Sequence, residues 1–153
     1  MVATEGDEAF AAFFECVGAH MMKGGSLPEY EKAHLDGLSG GALRQAWASL
    51  VDETSDAYAA LDPSSRVPWA GPSMSARSAI SARQMETWAH GQEVFDALGE
   101  DRDEHDRIRN IVVLGINTFG WTFKVRGETP PEPMPFVSLV SPSGEVWTYG
   151  ESQ

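Results

Sequence analysis

The chain has 153 residues, of which 42% are hydrophobic, so it is the size of one ordinary domain with a single core. Its formal net charge of -12 comes from 23 acidic against 11 basic residues, and the resulting field repels phosphate backbones, which argues against a nucleic-acid partner. No apolar run approaches the roughly 20 residues that span a bilayer, and the N-terminus is acidic where a signal peptide is basic, so we expect a soluble cytoplasmic protein with no membrane contact.

Two helical segments are predicted in the first quarter of the chain. The first ends at Gly24-Gly25, and its apolar face follows the spacing of a helix: Phe10, Phe13, Phe14, Val17 and Met21. The second, over residues 27–38, is predicted to be a looser helix or a helical turn. Cys16 lies in the apolar run of the first helix, which favours a buried thiol in a reducing compartment.

Two longer helices are predicted in the middle of the chain. One runs from about residue 42 to residue 61. The loop 66–72 is too rich in Pro and Gly for regular structure. Ser73 or Ser75 then caps a helix that ends near Leu98. The predicted buried face of that helix comprises Ile80, Trp88, Phe95 and Leu98.

The last third of the chain combines a helix with strands. After a charged connector, residues 100–106, one more helix begins at Ile108 and closes near Gly127. The hydrophobic period then changes, and residues 136–140 and 145–149 predict a β-hairpin around a short turn.

The predicted fold class is therefore mainly α with a C-terminal β-hairpin. Residues 1–127 are expected to form a helical bundle, and residues 128–153 a hairpin extension. An isolated hairpin is marginally stable in water, so we expect this extension to pack on the bundle.

Glu86 and His90 are the strongest candidate functional pair. They lie four residues apart in a helical pattern, so both side chains leave the same face, and a carboxylate oxygen and an imidazole nitrogen can converge on one ion. A metal site needs at least one more donor, and the same spacing also suits an exposed or hydrogen-bonded pair. Arg83 is expected either to orient Glu86 as an outer neighbour of the metal, meaning a residue that contacts a ligand but not the ion, or to form a plain salt bridge. Gln92 and Glu93 are interpreted as solvated positions or outer neighbours of the site.

Several segments together resemble a known family. They are VPW at 67–69, GPSMS at 71–75, ARQMETWAHGQ at 82–92 and DALG at 96–99, and the similarity continues to WTYG at 147–150. This combination resembles the actinobacterial metal-binding proteins related to mycothiol-dependent maleylpyruvate isomerase. Those proteins are DinB-like four-helix bundles, and some carry the label "wyosine base formation".

The resemblance implies a divalent metal, commonly zinc, held between helices by a His on the first helix and by a Glu and a His one turn apart on a later helix. Glu86 and His90 match the later pair. The segment opening at Met1 resembles the second helix of the family, so the resemblance implies a bundle that lacks the first helix and its His. His20 and His34 are the alternative third ligands within the chain.

The resemblance also implies a chemistry. A metal with an open coordination position can lower the pKa of bound water to about 7, polarise a carbonyl or orient a thiol. Mycothiol would be the co-substrate of a thiol-dependent isomerase or transferase that acts on a small molecule. The sequence indicates no catalytic residue, because it contains no separate triad, phosphate loop or nucleotide fingerprint.

Two readings of other classes stay open. The first is a metal-free, truncated helical bundle with an exposed apolar face. That face would be covered by self-association, for instance in a homodimer, or by a partner protein. Modification of tRNA bases, which the family label suggests, conflicts with the net charge of -12.

Overall fold

The computed structural model describes residues 6–151 of the chain. Its elements, in chain order, are α1 (Asp7–Met22), α2 (Leu27–His34), α3 (Gly40–Ala59), β1 (Arg66–Val67), β2 (Met74–Ser75), α4 (Ala76–Leu98), a 3-10 turn (Asp106–Ile108), α5 (Arg109–Lys124), β3 (Val137–Val140) and β4 (Val146–Tyr149). The predicted fold class, mainly helical with a C-terminal antiparallel hairpin, is confirmed. Within the same residues, no helix is long and apolar enough to cross a membrane.

The chain divides into two compact units, and the division falls inside α4, between Ala79 and Ile80. The boundary predicted at residue 127, between a bundle and a hairpin extension, is a different division of the chain and stays a prediction.

The first two helices have clear sequence reasons for their ends. After α1, Gly24 takes a φ of 86°, a conformation in which glycine is not strained. A reciprocal capping box opens α2: the Ser26 hydroxyl accepts from the Glu29 amide at 3.4 Å, and the Ser26 amide donates to the Glu29 carboxylate at 2.8 Å. The predicted helix over residues 27–38 is therefore present, but it is shorter than predicted.

Aromatic rings join α1 to α2. The Phe13 ring meets those of Tyr30 and His34 edge to face, with both centroid separations at 5.8 Å. Val17 is the buried residue of α1, whereas Cys16 is exposed, so the prediction of a buried thiol is wrong. Neighbouring helical residues point about 100° apart, and burial of Val17 turns Cys16 away from the packed side.

A small core closes the first unit. Its buried residues are Val67, Ala76 and Ala79, and the partly buried side chains packed against them are Tyr58, Leu61, Trp69 and Met74. β1 pairs antiparallel with β2, so the prediction that the loop 66–72 has no regular structure is wrong at Arg66 and Val67. The local Pro and Gly content described the turn correctly, but the strand depends on a partner that follows the turn.

The start of α4 selects between the two predicted caps. The Ser75 hydroxyl accepts from the Ser78 amide at 3.2 Å, which is the N-cap bond, whereas the Ser73 hydroxyl accepts from Arg66 at 3.1 Å. α4 ends at Leu98, before Gly99, as predicted.

The predicted buried face of α4 is only partly right. Ile80 and Phe95 are half-buried, but Leu98 is 70% exposed and Trp88 is 37% exposed. The fully buried positions are alanines near the helix start: Ala76, Ala79 and Ala82. Periodicity identifies residues that share a face, but it does not reveal which turns of that face have a neighbour to pack on.

The predicted C-terminal hairpin is confirmed. β3 and β4 pair antiparallel, with Val137 opposite Tyr149 and Leu139 opposite Trp147, and Trp147 is buried. The Asp106 carboxylate accepts from the Ser143 amide at 3.0 Å and from the Ser143 hydroxyl at 2.6 Å. These hydrogen bonds tie the hairpin turn to the 3-10 turn and hold the pKa of Asp106 below its ordinary value.

Candidate metal centre

Helix α4 brings Glu86 and His90 together, as the spacing predicts. The Glu86 Oε2 and His90 Nε2 atoms lie 3.4 Å apart, and the two side chains are 54% and 71% exposed. Zinc bonds to oxygen and nitrogen are about 2.0–2.1 Å long, so two ligands of a tetrahedral zinc ion lie about 3.3–3.4 Å apart. The observed separation therefore fits two ligands of one ion, and it is longer than the charge-assisted hydrogen bond of about 2.7–2.9 Å.

The second ring nitrogen of His90 faces another carboxylate. His90 Nδ1 lies 3.2 Å from Glu93 Oε1, in hydrogen-bond geometry. The Gln92 amide instead donates to Asp96 at 2.7 Å. Of the two positions interpreted as solvated or as outer neighbours, Glu93 is the one that touches His90.

The opposite face of α4 is covered by the connector between α4 and α5. Arg102 donates to the Trp88 carbonyl at 2.7 Å, and its guanidinium carbon lies 4.8 Å from the centre of the Trp88 ring. The Trp88 indole donates to Glu104 at 3.0 Å, and Arg102 also forms an ion pair with Glu104. We call Trp88, Arg102 and Glu104 the connector clasp.

The connector clasp lowers the pKa of Glu104. The hydrogen bond from the Trp88 indole, followed by the hydrogen bond and charge of Arg102, holds the pKa of Glu104 below its ordinary value of 4.5. Trp88 is two residues from both Glu86 and His90, which places it about 200° around the helix from them. The clasp therefore secures α4 from the side away from the candidate ligands.

A second contact secures α4 on the same side as the clasp. The Gln84 amide donates to the Arg107 carbonyl at 2.8 Å, and Asn110 donates back to the Gln84 oxygen at 3.2 Å. Sequence reasoning missed the clasp and the Gln84 contact, because hydrogen bonds of polar residues follow no hydrophobic period that could show where they form.

Arg83 lies exposed on α4. Among the described residues it forms neither a hydrogen bond nor an ion pair with Glu86. Its role as an outer neighbour of a metal stays a prediction.

His20 and His34, the two alternative third ligands, both belong to the first unit. The His20 ring packs 5.6 Å from that of Tyr30 and so close to Gly25 that a Cβ there would overlap it. The His34 side chain is exposed, and its ring stacks on the same Tyr30 ring with a centroid separation of 6.2 Å. In the part of the chain that the structure describes, the His20 Nε2 atom is buried without a hydrogen-bond partner.

Within residues 6–151, no group of three or more His, Cys, Asp or Glu side chains is arranged to hold a metal ion. The structure thus brings together two of the predicted ligands, Glu86 and His90, and the third stays a prediction.

The sequence model of one family, the mycothiol maleylpyruvate isomerase N-terminal domain, matches residues 4–95. The chain belongs to this family. The match covers more than half of the chain and contains Glu86, His90 and Glu93. The absence of the family's first helix stays a prediction.

Two curated relatives come from strains of Mycobacterium tuberculosis, the uncharacterized proteins MT0041 and Rv0036c. Each is 35% identical to the chain over 142 residues, which is 93% of the chain and 55% of the relative. The chain therefore spans about half the length of the curated relatives it matches. No solved structure matches the chain significantly.

Proposed function

We propose that this domain binds a divalent metal ion, zinc before others, through Glu86 and His90. The observation that carries the proposal is the 3.4 Å separation of Glu86 Oε2 and His90 Nε2, which suits two ligands of one tetrahedral ion. A carboxylate and an imidazole are both common zinc ligands, and both side chains are open to solvent. A metal site needs at least one more donor, and His20 and His34 stay the candidates that the sequence predicts.

We further propose that the metal serves a thiol-dependent isomerase or transferase that acts on a small molecule, with mycothiol as co-substrate. Family membership supports this proposal, because the name of the family contains both mycothiol and an isomerase. A divalent ion bound there would supply a Lewis acid that polarises a carbonyl or lowers the pKa of bound water to about 7. The side chains of the chain itself would hold and orient that ion.

Elemental mass spectrometry of the purified chain after incubation with zinc and gel filtration tests the metal proposal. We expect about one zinc ion per chain in the wild type and almost none in His90→Ala, because that variant loses one of the ligands. His105→Ala is the matched control, since His105 lies in the connector at the start of the 3-10 turn. His20→Ala and His34→Ala then identify the third donor.

A second candidate function is self-association without metal. On one face of α3, Trp47, Leu50 and Val51 are 55%, 51% and 41% exposed. A contiguous apolar face of this kind commonly marks a protein interface. If the wild type takes up no zinc and sediments as a dimer, the second candidate replaces the first.

A further inference from the structure

His90 uses its two ring nitrogens differently. Nδ1 faces Glu93 at 3.2 Å in hydrogen-bond geometry, whereas Nε2 faces Glu86 at 3.4 Å, within ion-pair distance but without a hydrogen bond between these two described side chains. Of the two carboxylates beside the imidazole, Glu93 is therefore the hydrogen-bond partner.

An ionised carboxylate can only accept hydrogen bonds, so the nitrogen that faces Glu93 must carry the hydrogen. In a neutral imidazole the other nitrogen then has a free lone pair. We propose that Glu93 is a positioning residue that holds His90 as the Nδ1–H tautomer and directs the Nε2 lone pair toward Glu86. Its purpose rests on the proposed metal site, because a metal ligand must offer that lone pair.

The arrangement is contained in one helix. Glu86, His90 and Glu93 are four and three residues apart, so they are neighbours along one face of α4. Histidines that ligate metals usually donate their other ring N–H to a carboxylate, a carbonyl or water, which fixes both the tautomer and the ring orientation. The proposed role of Glu93 thus depends on neither His20 nor His34.

The tautomer can be measured without metal. Long-range proton–nitrogen NMR spectra of the histidine-labelled, metal-free chain at pH 8 distinguish the two neutral forms, and His90→Ala identifies the His90 signals. We expect mainly the Nδ1–H form in the wild type and a clear loss of that form in Glu93→Ala. Glu93→Gln keeps an acceptor oxygen and should restore part of the preference.

Zinc affinity, measured by competition with a coloured chelator, gives the second test. We expect Glu93→Ala to bind zinc about tenfold more weakly, at the lower end of the effect typical for such partners, because the side chains are exposed. Asp96→Asn is the control: it removes one negative charge from the same helix, at a residue that bonds to Gln92 rather than to His90.

The outcomes separate the two proposals. A wild-type His90 found mainly as the Nε2–H form, or a tautomer unchanged in Glu93→Ala, would overturn the role of Glu93. An Nδ1–H wild type that responds to Glu93→Ala but takes up no zinc would uphold the role of Glu93 and overturn the proposed function.

Discussion

The two faces of helix α4 differ in what their side chains contact. On one face, Trp88 and Gln84 form hydrogen bonds and a ring contact with the connector, the 3-10 turn and the start of α5. On the other, Glu86, His90 and Glu93 are exposed, and their side-chain hydrogen bonds and ion pairs among the described residues stay within the helix. The contacts that hold α4 in place thus lie on one face of the helix, and the side chains that could bind a ligand lie on the other.

The largest expected effect on stability comes from the secured face. Arg102→Ala removes the hydrogen bond to the Trp88 carbonyl, the contact with the Trp88 ring and the ion pair with Glu104. Because the Arg102 side chain is only 13% exposed, we expect the free energy of unfolding in urea to fall by about 2 kcal/mol.

Arg83→Ala is the matched control for that measurement. It removes an exposed arginine from α4 itself, and we expect a change within about 0.5 kcal/mol. Equal losses in the two variants would show that the connector clasp does not secure α4.

The difference between the faces also shows what the sequence could predict. The start and end of α4 were predictable, because Ser75 and Gly99 act through local chemistry. Glu86 and His90 were predictable from their spacing and from the resemblance to a family. Trp88 was expected to be buried, but its neighbours are the polar side chains of a connector, and they leave 37% of it exposed.

The contact between Glu93 and His90 could also have been predicted from the sequence. A residue three positions after a histidine on a helix is its neighbour, so the contact with His90 follows from spacing alone. What spacing cannot decide is which ring nitrogen each carboxylate meets, since that depends on the side-chain rotamers.

A pH titration sharpens the comparison. The pKa of Glu104 is lowered in the folded chain, so its contribution to stability is complete above the ordinary value of 4.5 and is lost as the pH falls through the lower, folded value. We expect the free energy of unfolding of the wild type to fall more steeply between about pH 5 and pH 3 than that of Glu104→Gln. Glu100→Gln, a connector variant outside the clasp, should follow the wild type, and a wild-type slope in Glu104→Gln would contradict the role of Trp88 and Arg102 in lowering this pKa.

The smallest expected effect on stability is on the open face. Glu86→Gln keeps the size of the side chain and removes the charge that faces His90. Exposed ion pairs contribute little, so we expect the free energy of unfolding in urea to change by less than about 0.5 kcal/mol, while zinc uptake is lost. A loss of stability as large as that of Arg102→Ala would mean that Glu86 and His90 secure the helix themselves, and the division of labour between the two faces would then be wrong. If Glu86→Gln is as stable as the wild type but takes up no zinc, the exposed face of α4 binds the metal without contributing to the stability of the fold.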